Sequence, residues 1–144
     1  MVLKWYGFYF LHVGNFDEAR RIYEDLLLWG KTKGGAHQVF IFNVVHAIAD
    51  TYLKQENYEQ AEKLYRQALG GRLELLGEKD PDTLSSMFGL TYILYHKGEL
   101  VEAQTRCKKV CSLRGEVLGP SHSRTIQARL LQEKIEGQLQ VRSK

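Results

Sequence analysis

The segment NYEQAEKLYRQAL, which begins at Asn57, decides the fold because the chain contains three versions of it. One version begins 42 residues earlier, at Asn15, as NFDEARRIYEDLL, and another begins 42 residues later, at Glu99, as ELVEAQTRCKKVC. Alanine occupies the fifth place of every copy. Two further segments, LGEKDPDT from Leu76 and LGPSHSRT from Leu118, keep the same spacing. A fixed period of this length is typical of a solenoid, in which each repeat is one supersecondary unit.

Each copy of the repeat divides into two amphipathic helices. In the middle copy, apolar residues recur at helical spacing over residues 39–54 and again over residues 58–76, and polar residues form the turn between them. Gly77 is a suitable C-terminal cap for the second helix. Asp80 or Asp82 is a suitable N-terminal cap for the helix that follows.

The complete pattern predicts an all-α chain that forms one domain over residues 1–144. A last amphipathic helix is expected at about residues 123–141, with Ser123 as its cap and a polar outer face that closes the solenoid. The three helix-pair repeats are expected at about residues 3–37, 38–80 and 81–122.

Gly70 and Gly71 interrupt the second helix of the middle copy. Two glycines inside a helix cost roughly 1.5–2 kcal/mol relative to alanine. Two explanations stay open. The glycines either permit a kink or the close approach of a neighbouring segment, or they reflect divergence of this copy.

The first helix of the chain is apolar on almost every side. Its apolar residues are Val2, Leu3, Trp5, Tyr6, Phe8, Tyr9, Phe10 and Leu11. The segment is too short to span a bilayer, which needs about 20 apolar residues, so no membrane partner is expected. Because an all-apolar helix is normally buried, we expect this end to be the exposed face of a longer array or a surface for self-association.

The charge of the chain does not favour nucleic acid as a partner. Lys and Arg number 20 and Asp and Glu 17, which leaves a net charge of +3. The segment from Thr105 onward has a local charge of +6, and an RNA-binding helical repeat is therefore an alternative. However, no aromatic residue that could stack on a base occurs after Tyr95.

The sequence contains none of the common catalytic motifs for phosphate binding, acyl transfer or zinc hydrolysis. His46 and Asp50 form a pair one helical turn apart, but such pairs are common on solvated helices. Cys107 and Cys111 are interpreted as small core residues in a reducing compartment. The alternative, a metal or redox pair, would need further ligands for a metal. We therefore expect no enzymatic activity, no cofactor and no metal.

The repeat resembles the tetratricopeptide repeat in its 42-residue form, as in kinesin light chains and in the C-terminal arrays of fungal NACHT or NB-ARC signalling proteins. The matching segments are IADTYLKQENYEQAEKLYRQAL from Ile48 and LGEKDPDTL from Leu76. The resemblance covers nearly the whole chain and is strongest in the middle copy. It implies a right-handed superhelical solenoid of antiparallel helix pairs. In this family the first helices of the repeats line a concave groove that holds a peptide or short helix.

The register of the family places ten residues in this groove. They are Phe8, His12, Asn43, His46, Asp50, Lys54, Phe88, Tyr92, Leu130 and Lys134. Aromatic side chains beside polar groups are suited to anchor a peptide, although several of these residues could instead pack between neighbouring helices. We expect a non-catalytic, cytoplasmic scaffold for a partner protein. The alternatives are a fragment or oligomerisation module of a larger signalling protein and an RNA-binding repeat.

Overall fold

The computed structural model of the chain describes residues 7, 9, 12–32 and 38–143. The six helices with bounds inside these residues are α1 (Phe16–Thr32), α2 (Gln38–Lys54), α3 (Tyr58–Leu76), α4 (Pro81–Lys97), α5 (Leu100–Leu118) and α6 (Ser123–Arg142). Every one of these elements is a helix, so the predicted all-α repeat fold is confirmed. Within the middle copy the predicted helices match α2 and α3 to within one residue.

The helices belong to two compact units, Met1–Leu75 and Leu76–Lys144. In the first unit, α2 packs against α1 on one side and is joined to α3 by side-chain hydrogen bonds. In the second unit, α5 packs against both α4 and α6, and α4 also contacts α6. Each unit therefore consists of helices that are adjacent in sequence and adjacent in space, as a repeat architecture requires.

The alanine in the fifth place of each copy is fully buried. Ala19, Ala61 and Ala103 each have 0% of their surface exposed. Ala19 belongs to a core cluster between α1 and α2 that also contains Tyr23, Leu26, Val44 and Ile48. The small side chain lets the helices approach closely, and a larger one would overpack the contact.

The turn between the two helices of a copy has the same backbone geometry each time. Gly14, Glu56 and Gly98, spaced 42 residues apart, have φ angles of 81°, 57° and 82°. After α2, the N–H groups of Glu56 and Asn57 donate to carbonyl oxygens of the last helical turn, each at 2.9 Å. The bonds after α4 are equivalent, and this pairing is the usual way to satisfy carbonyls at a helix end. Glu56 therefore adopts a left-handed backbone conformation at a position where the other two copies have glycine.

Side chains cap the N-terminal ends of two helices in the second unit, α4 and α6. Asp80 accepts a hydrogen bond from the N–H of Asp82 at 2.9 Å, at the start of α4. At the start of α6, Nδ1 of His122 accepts from the N–H of Arg124 at 3.1 Å. The prediction of Ser123 as this cap is therefore wrong by one residue. The imidazole takes the acceptor role usually filled by a hydroxyl or carboxylate, and Ser123 is already helical.

The two glycines in α3 have different surroundings. A methyl group at Gly71 would overlap the ring of Phe42, which projects from α2 onto the α3 backbone. A methyl group at Gly70 would meet nothing within 4 Å. Gly71 thus permits the close approach of a neighbouring ring, whereas Gly70 has no packing role of this kind.

We expect alanine to have opposite effects at these two positions. Gly70→Ala should raise the free energy of unfolding by up to about 1 kcal/mol, because alanine is the better helix former. Gly71→Ala should lower it by about 1–3 kcal/mol, because the Phe42 ring must leave its place. Urea denaturation of the two variants and the parent measures both values. Equal stabilisation by both substitutions would contradict the proposed contact of Phe42 with Gly71.

Glu56→Gly should stabilise the chain. Glycine adopts the left-handed conformation without the steric cost of a side chain, so we expect a gain of about 1 kcal/mol or less in the free energy of unfolding. The neighbouring substitution Gln55→Gly is the control, since Gln55 does not have a positive φ. Thermal melts should show a higher midpoint for Glu56→Gly alone. A lower midpoint for that variant would show that the side chain of Glu56 has a stabilising role.

Candidate partner-binding surface

In the first unit, the predicted groove residues of α2 are Asn43, His46, Asp50 and Lys54. Three of them contact α3. Oδ1 of Asn43 accepts a hydrogen bond from Nη2 of Arg72 at 2.9 Å. A carboxylate oxygen of Asp50 accepts from the hydroxyl of Tyr65. The ring of His46 meets that of Tyr65 edge-on, with centroids 5.3 Å apart, so this face of α2 is tied to the helix beside it.

The carboxylate of Asp50 lies close to two buried tyrosines. Burial, followed by the charge of Asp50 and its hydrogen bond, raises the pKa of Tyr65. Burial and the charge of Asp50 also raise the pKa of Tyr23 on α1. Nε2 of His46 lies 3.6 Å from Oδ2 of Asp50, whose side chain is 39% exposed. Asp50 is therefore hydrogen-bonded to α3, acts electrostatically on Tyr23 of α1, and still presents part of its carboxylate to solvent.

In the second unit, α4 carries the two aromatic residues of the predicted groove. Phe88 is half-buried, and the guanidinium carbon of Arg114 lies 4.6 Å from its ring centre. Tyr92 is also half-buried, and its ring centre lies 4.4 Å from that of His96. These neighbours restrain the rings while part of each ring stays accessible, which is the arrangement expected of rigid anchors.

On α6, Leu130 and Lys134 are both exposed. Lys134 lies at a cleft of about 400 Å³ whose other lining residues are Tyr95, Gly137, Gln138, Val141 and Arg142. Nε2 of Gln138 donates to the hydroxyl of Tyr95 at 3.1 Å and joins α6 to α4. The sequence-based prediction omitted Tyr95 and Gln138. Their spacing from Tyr92 and Lys134, one helical turn in each case, was the signal that could have identified them.

Two buried arginines stand 42 residues apart, at Arg72 on α3 and Arg114 on α5. They are only 5% and 3% exposed. Nη1 of Arg114 donates to the carbonyl oxygen of Arg124 at 2.8 Å, and burial, followed by the charge of Arg124, lowers the pKa of Arg114 to about 10. The sequence analysis singled out neither residue. The two arginines occupy the same position in consecutive copies of the repeat, and this match could have indicated that both are buried.

The remaining predicted residues lie near the start of the chain. His12 is helical and exposed. Phe8 lies outside the described residues, as do Val2, Leu3, Trp5, Tyr6, Phe10 and Leu11 of the apolar segment. Tyr9 of that segment is described, and 58% of its surface is exposed.

No three His, Cys, Asp or Glu side chains in residues 7, 9, 12–32 and 38–143 come together as a metal ion would require. Over the described part of the chain, no helix has the length and apolar character needed to cross a membrane.

The hydrogen bond between Asp50 and Tyr65 predicts that removal of the acceptor lowers the free energy of unfolding more than removal of the donor. Asp50→Ala leaves a buried hydroxyl without its acceptor, so we expect a loss of about 1–3 kcal/mol in the free energy of unfolding. Tyr65→Phe removes the donor, but the exposed side of Asp50 can turn to water, and the loss should be about 1 kcal/mol. Urea denaturation of both single variants and the double variant measures the coupling. Additive effects in this cycle would contradict the hydrogen bond.

Comparison with known proteins identifies the family. A family model described as "Tetratricopeptide repeat" matches residues 1–74 and 40–106. No curated protein matches the chain.

Solved structures of similar fold are 15–17% identical to the chain. A putative kinesin light chain of Podosopora anserina with nearly identical TPR-like repeats has a TM-score of 0.84 at 17% identity, over 96% of this chain and 67% of that one. A substituted variant of the same protein has a TM-score of 0.85. BtubC (BKLC) from P. vanneervenii has a TM-score of 0.75 at 15% identity, over 85% of this chain. This chain spans about half of BtubC, 48% of its length. On the match of the family model, the chain belongs to the tetratricopeptide repeat family.

Proposed function

We propose that the chain is a non-catalytic scaffold that holds a peptide or a short helical segment of a partner protein. Tetratricopeptide repeats are protein-interaction modules in general, and membership of the family supports this class of function. The proposed surface in the second unit is the face of α4 and α6 that carries Phe88, Tyr92, Leu130 and Lys134. In the first unit it is the face of α2 that carries His46 and Lys54.

The observation that carries the proposal is the partial exposure and the restraint of the two aromatic rings on α4. Phe88 and Tyr92 are one helical turn apart and half-buried, and each is restrained by a neighbouring side chain. An aromatic ring held in this way loses little conformational entropy when a partner covers it. Lys134 and Gln138 supply polar groups nearby on α6, within the same unit. Apolar anchors beside a few polar groups are the usual composition of a peptide site.

A second candidate is that the chain acts as an oligomerisation module of a larger protein. Three apolar residues of α6 are exposed: Ile126 at 43%, Leu130 at 53% and Val141 at 74%. Exposed apolar side chains on one helix are typical of surfaces that a partner covers. Light scattering over a wide concentration range separates the two candidates, because a scaffold for other proteins stays monomeric and an oligomerisation module does not.

The cytoplasm is the proposed compartment. Cys107 and Cys111 are free thiols, which suits a reducing environment.

Removal of the two rings tests the proposed surface. Peptides selected against the parent chain from a random library supply the ligands, and calorimetry measures their dissociation constants. We expect Phe88→Ala with Tyr92→Ala to weaken binding by about 2 kcal/mol, a loss of roughly thirtyfold in affinity. Circular dichroism checks that the variant stays helical, since Phe88 also contacts Arg114.

The matched control removes apolar side chains from the other helix of the same unit. Val101→Ala with Val117→Ala truncates two exposed residues of α5 and should leave the dissociation constants unchanged. If the control variant loses binding and the folded Phe88/Tyr92 variant does not, the site lies on α5 and the proposed surface is wrong.

A further inference from the structure

Three arginine side chains converge on the start of α6. Nη1 of Arg114, on α5, donates to the carbonyl oxygen of Arg124 at 2.8 Å. Nη2 of Arg129 donates to the carbonyl oxygen of Pro120, in the loop before α6. Arg124 itself belongs to the first turn of the helix, and its Nη1 lies 3.4 Å from Oγ of Ser85 on α4. Three positive charges therefore lie around one helix N-terminus.

In the described part of the chain, none of these three arginines forms an ion pair with a carboxylate. Four other arginines lie 3.0–3.1 Å from a carboxylate oxygen of their own helix, and they are Arg20, Arg21, Arg66 and Arg106. Arg114 is only 3% exposed, and its Nε has no hydrogen-bond partner. No carboxylate is among the groups that shift the pKa of Arg114. A buried charge without a counterion is costly, so an anion at this end of α6 would stabilise the folded chain.

The first turn of α6 also has polar groups without acceptors. The N–H of Arg124 donates to Nδ1 of His122, but those of Ser123 and Thr125 donate to no acceptor among the described residues. Thr125 is 2% exposed, and its hydroxyl has no hydrogen-bond partner either. The N–H groups at a helix N-terminus carry a partial positive charge and bind anions readily. The unpaired arginines and these donors therefore favour the same kind of ligand.

The start of α4, in the preceding copy, carries acidic residues at the corresponding places. The segment there is LGEKDPDT from Leu76, and the segment at α6 is LGPSHSRT from Leu118. His122 stands where α4 has Asp80, and Arg124 stands where it has Asp82. The cap of α4 is thus a carboxylate, whereas the cap of α6 is an imidazole. Two negative charges are lost and one positive charge is gained at a helix end that favours negative charge.

We propose that the start of α6 is a binding site for a phosphate group. The N–H groups of Ser123 and Thr125 and the guanidinium of Arg124 donate hydrogen bonds to its oxygens. Arg114 adds a buried positive charge beside the first turn. A phosphate dianion suits this set better than a carboxylate, because several positive charges are unpaired and phosphate offers three acceptor oxygens.

The phosphate has two possible sources. One is phosphorylation of Ser123, which is exposed at the first position of the helix. A protein kinase then transfers the phosphoryl group from a nucleoside triphosphate. The bond from Oγ of Ser123 to phosphorus forms, the bond from phosphorus to the nucleoside diphosphate breaks, and the hydroxyl proton passes to solvent. The other source is a free phosphate ion or monoester from outside the chain.

Titration of the ¹⁵N-labelled chain with inorganic phosphate tests the site, at constant ionic strength and about pH 8, where phosphate is mainly a dianion. The amide signals of Ser123, Arg124 and Thr125 should shift along a saturable curve. The amides of Asp82 and Thr83 at the start of α4 are the internal control. They should not follow that curve, because the carboxylates at the start of α4 repel an anion.

A substitution that restores the residue of the preceding copy gives the sharpest variant. Arg124→Asp should weaken phosphate binding at least about tenfold, because it removes a charged donor and adds a repelling charge. In chloride, the same variant should melt at a higher temperature than the parent, since a carboxylate then lies beside the charge of Arg114. Lys108→Gln removes an exposed charge of α5 and should leave phosphate binding unchanged.

A chain with phosphoserine at position 123, prepared by semisynthesis, distinguishes the two sources. If Ser123 carries the phosphate, the thermal midpoint should rise by about 3 °C or more, and added phosphate should no longer shift the amides of the first turn. If the phosphate comes from outside, the modified chain should melt no higher than the parent, while the parent still binds added phosphate saturably.

The proposal is overturned if added phosphate gives no saturable shift at the start of α6 and the phosphorylated chain is no more stable than the parent. Equal shifts at the starts of α4 and α6 would overturn it as well, as would equal phosphate affinities of the parent and Arg124→Asp. If Arg124→Asp does not fold, Arg124→Gln takes its place, and undiminished binding by that variant would reject the role of Arg124.

Discussion

The close contact between helices at a buried alanine is the constraint on which this fold depends. Ala19, Ala61 and Ala103 expose no surface, and Ala19 lies in the core that α1 shares with α2. A side chain larger than a methyl group would separate the two helical backbones and weaken every contact around it. The alanine therefore recurs every 42 residues because each copy has the same packing requirement at that position.

Polar groups buried beside this core connect the packing to the candidate surface. Asp50 accepts the hydroxyl proton of Tyr65 and lies near Tyr23, while part of its carboxylate remains at the surface. Arg114 is buried, yet its guanidinium lies over the ring of Phe88. Burial of such groups costs desolvation energy unless each is paired. In return, their contacts fix the orientation of the neighbouring side chains on the proposed surface.

Differences between the copies account for what is particular to this chain. The residue in register with Tyr65 is Cys107, and the residue in register with its acceptor Asp50 is Tyr92. The third copy has thus exchanged a buried hydrogen-bonded pair for a thiol in the interior and an aromatic ring on the face of α4. Because the alanine and the turn are retained, the helices keep their geometry while the chemistry at these positions changes.

The sequence by itself determined the helices and their order, because periodic apolar residues, the alanine register and the turn signals act locally and repeat. The family register placed Phe88, Tyr92 and Lys134 on the groove face of their helices, and that assignment stays a prediction. The sequence did not determine that Gly71 accommodates the ring of Phe42, or that Arg72 and Arg114 are buried. It also did not distinguish the environments of Cys107 and Cys111. Each of these features depends on which side chain of a neighbouring helix lies against the residue. Only the tertiary structure decides that, because packing brings together residues from different helices whose separation along the chain follows no simple pattern.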